Sequence, residues 1–182
     1  TTCRILAPRP AAIHAAGGIK LYSMELGSNA PTIVMADADL DAALPRIVSG
    51  AFWAAGQNCL HVQRLLLHEA VYEDVRERFV TAAMGLKLGP KLEEATDMGP
   101  LIDDANADRV RGLIRSAVEA GARLLCGGGG DGTHVPPTVL EDVPPDHGLA
   151  VDEGYGPVAG PLRSPEPEQA RPQLRPSILV EF

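Results

Sequence analysis

The chain has no surplus of positive charge. Its 16 Lys and Arg face 24 Asp and Glu, a formal net charge of −8. Non-specific nucleic-acid binding runs on basic side chains neutralising phosphates, so that class is excluded. Cysteine is scarce: Cys3, Cys59 and Cys126 are the three present. They are odd in number, widely spaced and form no Cys-x-x-Cys pair, which argues against a disulfide framework or a structural zinc site. Free thiols suit a reducing compartment. The five histidines show no metal spacing. No apolar run reaches the ~18 residues of a membrane span. No charged-then-apolar leader opens the chain, and no segment repeats. A cytoplasmic protein with neither a nucleic-acid nor a membrane partner is expected.

What is present suits a globular fold. The 182 residues are 45% hydrophobic, enough for a real core in one domain or one large piece of a bigger protein. The first residue is Thr rather than Met, so the chain reads as processed, cropped or a fragment. Residues 1–19 are poorly patterned, with Pro8 and Pro10 breaking any early helix. A folded domain is expected over residues 20–160. From Pro161 onward the prolines at 161, 165, 167, 172 and 176 argue against helix or central strand, and residues 161–182 read as a disordered or weakly packed tail.

Within the domain, strands alternate with helices. Ile19 to Met24 reads as a strand, and Pro31 to Met35 as a short strand buried on both faces. Leu40, Ala43, Leu44, Ile47, Val48, Ala51, Phe52 and Ala55 make a helical stripe, with Asp37 and Asp39 as capping carboxylates. Pro45 either kinks that helix or opens its regular part; a kink is the expectation here. Val62 to His68 reads as a strand, and Tyr72, Val75, Phe79, Ala83 and Leu86 as a helix face. Asp103 caps a third helix that turns Val110, Leu113, Ile114, Ala117 and Val118 inward and stops at Gly121. Arg123 to Cys126 and Thr138 to Leu140 complete the strands. The alternation predicts an α/β fold with a parallel sheet.

Three short motifs carry chemistry. Met24-Glu25-Leu26-Gly27-Ser28-Asn29-Ala30-Pro31 places a carboxylate at a strand end, where ligands bind in open α/β sheets. Partial burial would raise the Glu25 pKa and make it a usable base. Gly56-Gln57-Asn58-Cys59 places a thiol just past an apolar helix. A thiol that attacks a carbonyl needs a base, so Cys59 and Glu25 form a candidate pair. The plainer readings are a buried inert cysteine and a turn glutamate. His61 follows close behind, as a substrate contact or an ordinary loop residue. The third motif is Asp152-Glu153-Gly154-Tyr155-Gly156-Pro157-Val158. Gly127 to Gly130 lacks the Lys-Ser/Thr and helix of a phosphate cradle and reads as a mobile turn.

Taken in order, these motifs resemble the catalytic core of the aldehyde dehydrogenase superfamily. Thr96-Asp97-Met98-Gly99-Pro100-Leu101-Ile102 and Pro136-Pro137-Thr138-Val139-Leu140 add to the likeness, which runs from about Ala11 to Val158. The resemblance implies a three-layer, parallel-sheet catalytic domain, incomplete relative to the family. It implies Cys59 as nucleophile and Glu25 as the base that activates water, favouring the hydrolytic branch over transfer to coenzyme A. Glu153 would hold the nicotinamide ribose hydroxyls of NAD or NADP. Tyr155 stands where the family usually has Phe, beside the nicotinamide end, and Gly27 joins the cofactor side. Gly154 replaces a usual apolar residue. A small aldehyde is the implied substrate, no metal is involved, and a family-type homo-oligomer would lack its closing strand here. The family's glycine motif, adenosine pocket and oxyanion-hole amide would precede residue 1. The chain alone is therefore expected to show negligible NAD(P)+-dependent oxidation, since positioning of the hydride acceptor can contribute ~7–11 kcal/mol. The alternative is a catalytically inactive remnant acting at most as an interaction module.

Overall fold

The computed structural model describes residues 28–164. The expected strand at Ile19 to Met24, the segment 1–19, Glu25 and Gly27 lie outside the described residues. So does the tail beyond Ser164.

Strand β1 (Thr32–Val34) leads into helix α1 (Leu40–Phe52). Asp39 caps α1, its side chain accepting the Ala42 N–H at 3.1 Å. The helix runs on through Pro45, so it neither breaks there nor begins there. The expected stripe is the buried face: Leu44, Ile47, Val48, Ala51 and Phe52. The helix ends sooner than Ala55. A tight turn, Trp53–Gly56, follows, with left-handed φ of 53° at Ala54, 54° at Ala55 and 67° at Gly56.

Strand β2 (Arg64–His68) starts two residues later than Val62. Leu65, Leu66 and Leu67 are fully buried, as a central strand covered on both faces requires. Helix α2 (Tyr72–Gly85) packs on α1, where Phe79 stacks on Phe52 with ring centroids 5.7 Å apart. Helix α3 (Asp104–Glu119) is capped by Asp103 and stopped by Gly121, whose φ is 108°. It buries Ala107, Val110, Ile114 and Ala117, while Val118 stays largely exposed, one position off the stripe. Strands β3 (Arg123–Cys126) and β4 (Thr138–Glu141), helix α4 (Gly148–Val151) and strand β5 (Val158–Ser164) complete the described elements.

The sheet order is β1-β2-β5-β4-β3. The pairs β1–β2, β2–β5 and β5–β4 are parallel. The pair β3–β4 is antiparallel, so the sheet is mixed rather than wholly parallel. A second difference concerns Pro161. It lies inside β5, paired across to Leu65, and residues 161–164 are strand rather than tail. The ladder from β5 to β4 ends at Ala159. Pro161 therefore has a partner strand on one side only, the situation of an edge residue, which spares its missing N–H.

Candidate active site

Three loops enter the sheet side by side. Residues 28–31 precede β1, residues 57–63 precede β2 and residues 152–157 precede β5. Those strands are adjacent and parallel, with Thr32 opposite Leu65 and Arg64 opposite Gly160. Their amino ends therefore lie together, and so do the loops. The described part of the site sits at this edge rather than at the carboxyl ends.

The thiol stands at the tip of a turn. The His61 N–H donates to the Asn58 carbonyl at 3.3 Å, closing a turn with Cys59 second. The Asn58 Oδ1 accepts from the Leu60 N–H at 2.9 Å, and its Nδ2 donates to the Trp53 carbonyl at 3.3 Å. Gln57 braces the loop from the other side. Its Nε2 donates to the Ala54 carbonyl, and its Oε1 accepts from the Ile102 N–H, both at 2.9 Å. The motif amide thus ties the turn to the connector ahead of α3. Cys59 is exposed. Cys126 is half-buried and donates to the Pro137 carbonyl at 3.8 Å; burial pushes its thiol pKa up.

Gly56 joins this loop to the Glu153 loop. A Cβ on Gly56 would lie 2.2 Å from the Gly156 carbonyl oxygen, so the two backbones approach as only glycine permits. The Glu153 Oε1 accepts the Ser28 N–H at 3.1 Å. The Asn29 Nδ2 donates to the Asp152 carbonyl at 3.3 Å. Burial raises the Glu153 pKa, opposed by the Ser28 hydrogen bond. Tyr155 is half-buried and held at φ 44°, a strained value for a side chain of its size. The half-exposed carboxylate is the right chemical type to accept sugar hydroxyls, and the Gly56–Gly156 approach holds its loop against the thiol loop.

His61 is buried beneath the turn, beside Gly56, and neither ring nitrogen has a hydrogen-bond partner among the described residues. Burial drives its pKa down to about 4; the nearby Ala51 backbone pulls weakly the other way without reaching bonding geometry. It is a neutral prop for the turn rather than a group displayed beside the thiol.

Three positioning side chains carry no motif. Gln63 reaches from the β2 entry into the 149–154 segment, Arg64 donates to the Asn29 carbonyl, and Arg109 on α3 reaches residues 154 and 155. A signal was there for two of them: Gln63 and Arg64 are polar residues just ahead of the apolar run Leu65-Leu66-Leu67. Arg109 had none, being one basic residue among several on an amphipathic helix.

The Gly-rich turn after β3 is not a phosphate cradle, since the Gly128 N–H is already taken by Thr138 Oγ1 at 3.0 Å. Among the described residues no His, Cys, Asp and Glu group could hold a metal ion. No described helix is long and apolar enough to cross a membrane.

Comparison with known proteins agrees with this architecture. The aldehyde dehydrogenase family profile matches residues 9–170. Aspartate-semialdehyde dehydrogenase 1 of Pseudomonas canavaninivorans is 48% identical over 143 residues, covering 78% of this chain and 30% of that protein. The NADP(+) succinate-semialdehyde dehydrogenase of Escherichia coli K12 is 40% identical over 144 residues, covering 78% and 30%. The NAD+ complex of aldehyde dehydrogenase from Bacillus cereus superposes with a TM-score of 0.81 at 33% identity, covering 89% of this chain and 34% of that one. The chain thus spans about a third of the length of the relatives it matches. On the profile match and the shared fold, the chain belongs to the aldehyde dehydrogenase family.

Proposed function

We propose that this chain is the nucleophile-bearing part of an enzyme that oxidises a small aldehyde to a carboxylic acid with NAD or NADP. The observation that carries the reading is the Gly56–Gly156 approach, which packs the Cys59 loop against the Glu153 loop. The Cys59 thiolate attacks the aldehyde carbon and forms a thiohemiacetal. No described residue accepts the Cys59 backbone N–H, which leaves it available as a donor to the developing oxyanion. The nicotinamide cofactor, when bound, supplies the hydride acceptor. Glu153 would accept its ribose hydroxyls and Tyr155 would flank its nicotinamide end, and Gly27 is counted among the residues that would hold it. Loss of hydride leaves a thioester on Cys59, and Glu25 takes the proton from the water that hydrolyses it. The names of semialdehyde dehydrogenases among the relatives favour an aldehyde that carries a second polar group.

Alkylation rates alone do not test this, because Cys59 is exposed and Cys126 is not. Protection does. Succinic semialdehyde should slow iodoacetamide labelling of Cys59 by forming the thiohemiacetal and leave Cys126 unchanged. Equal protection of both thiols, or of neither, would overturn the assignment of Cys59.

A further inference from the structure

The Glu153 loop is held by side chains that approach it from two sides. Gln63 is buried, and its amide is fully used: Nε2 donates to the Leu149 carbonyl at 2.7 Å and to the Asp152 carbonyl at 2.8 Å. Its Oε1 accepts the Gly154 N–H at 2.7 Å. From α3, Arg109 Nη1 donates to the Gly154 carbonyl at 2.8 Å and Nη2 to the Tyr155 carbonyl at 2.9 Å. One amide and one guanidinium thus secure three carbonyls and one N–H of a loop containing two glycines, and tie it to the Leu149 carbonyl of α4. Two of those groups, the Gly154 N–H and carbonyl, follow Glu153 directly.

The glycines fit the clamp. A Cβ at Gly154 would lie 2.9 Å from Gln63 Oε1 and 3.3 Å from Leu149 Cδ2. The Gln63 amide therefore occupies the space a larger residue at 154 would need. A Cβ at Gly156 would run into Val110, the neighbour of Arg109, at 2.5 Å. The absent apolar residue at 154 is thus matched by a polar one at 63, four residues past the thiol. Arg109 is a fork, and a planar fork can serve two successive carbonyls where a point charge cannot.

We propose that Gln63 and Arg109 are positioning residues that fix the backbone around Glu153, so that its carboxylate is already oriented for the ribose hydroxyls of the cofactor. This rests on the reading of Glu153 given above. Pre-orientation spares the bound state the ordering of a Gly-rich loop. It also joins the two halves of the site, because Gln63 shares a short segment with Cys59.

The test uses the 182-residue chain in solution, read by NMR. In the wild type, the Gln63 side-chain protons and the Gly154 amide should exchange slowly; rapid exchange of both overturns the clamp. In Gln63→Leu, Gly154 exchange should speed up roughly tenfold or more, the effect of losing one buried bond. The Glu153 titration should fall back toward that of an ordinary glutamate as its loop opens to water, while Leu65 to Leu67 stay protected. Unchanged Gly154 exchange and Glu153 titration in that folded variant overturn the proposal. Arg109→Lys, which keeps the charge and loses the fork, should fall between wild type and Arg109→Gln; equality with wild type overturns the role of the fork. Should Gln63→Leu fail to fold, Gln63→Glu replaces it. Its carboxylate can still accept the Gly154 N–H but cannot donate to the Leu149 and Asp152 carbonyls, so the loop loosens and the protection of its amides, read at Gly154 and corrected for intrinsic exchange, should recover as pH falls and the acid gains a proton to donate. A flat profile overturns the proposal. Titration with nicotinamide riboside separates the two layers. No shift at Glu153 in the wild type, with the clamp results intact, removes the cofactor reading and leaves the clamp. A shift that Gln63→Leu leaves equally strong removes the clamp's role and leaves the cofactor reading.

Discussion

Gly56 is a place in the proposed site where a single methyl group would do severe harm. Its φ of 67° is left-handed, and a Cβ there would lie 2.2 Å from the Gly156 carbonyl oxygen. Gly56→Ala should cost at least ~2 kcal/mol, since strain of ~1–2 kcal/mol is joined by a backbone clash. Urea unfolding would measure it. Two residues earlier the sign reverses. Ala54 is exposed at φ 53°, so Ala54→Gly removes the strain and should stabilise by about 0.5–1 kcal/mol, read as a raised urea midpoint. His61 makes the third prediction. Its folded pKa of about 4 lies below the unfolded value near 6.5, so between these the unfolded chain binds more protons. The stability this group contributes is present above pH 6.5 and is lost as pH falls toward 4. The full effect is on the order of 3 kcal/mol at 1.36 kcal/mol per pH unit. The slope should appear in unfolding curves taken across that range and flatten in His61→Gln.

At the scale of elements, Glu141 joins strand to helix. It is 2% exposed, and its carboxylate accepts from the Tyr72 hydroxyl, from Arg76 at 3.4 Å and from Arg123. Burial and the neighbouring carboxylate push the Tyr72 hydroxyl pKa up, so it stays a donor. Arg163 of β5 lies over the same ring, 3.7 Å from its centroid. Tyr72→Phe keeps the ring and this stacking but removes one donor from a buried carboxylate. It should cost ~1–3 kcal/mol in chemical denaturation. The elements themselves were mostly legible. The α1 stripe, the α2 face, both Asp caps and the Gly121 stop follow from period and capping chemistry alone. Strand β5 was not, because Pro161 argues against a strand unless one knows that the β4 ladder has already ended. Strand direction was not either: Arg123 to Cys126 read the same whichever way they pair. In the proposed site, Cys59 and Glu153 stood out through their glycines, whereas Gln63 showed only as a polar residue ahead of an apolar run and not as a clamp, because a threefold hydrogen-bonded amide and an idle one are spelled alike.

For the whole molecule, the exposed apolar side chains matter most. Leu60 at 80%, Leu92 at 89% and Ile102 at 80% exposure join Trp53 and Met84 on the surface. Large exposed apolar groups mark interfaces, and the chain spans about a third of the relatives it matches. Concentration-dependent association of the isolated chain is expected by sedimentation velocity. A single monomeric species at every concentration tested would contradict it. Trp53 has a further use. It is the sole tryptophan, 64% exposed, and its carbonyl takes the Asn58 amide one residue short of the thiol. The packed core around Phe52 and Phe79 contains no indole. Emission from this chain therefore comes from one lamp placed on the thiol loop, and quenching by acrylamide would follow that loop's opening separately from the melting of the interior.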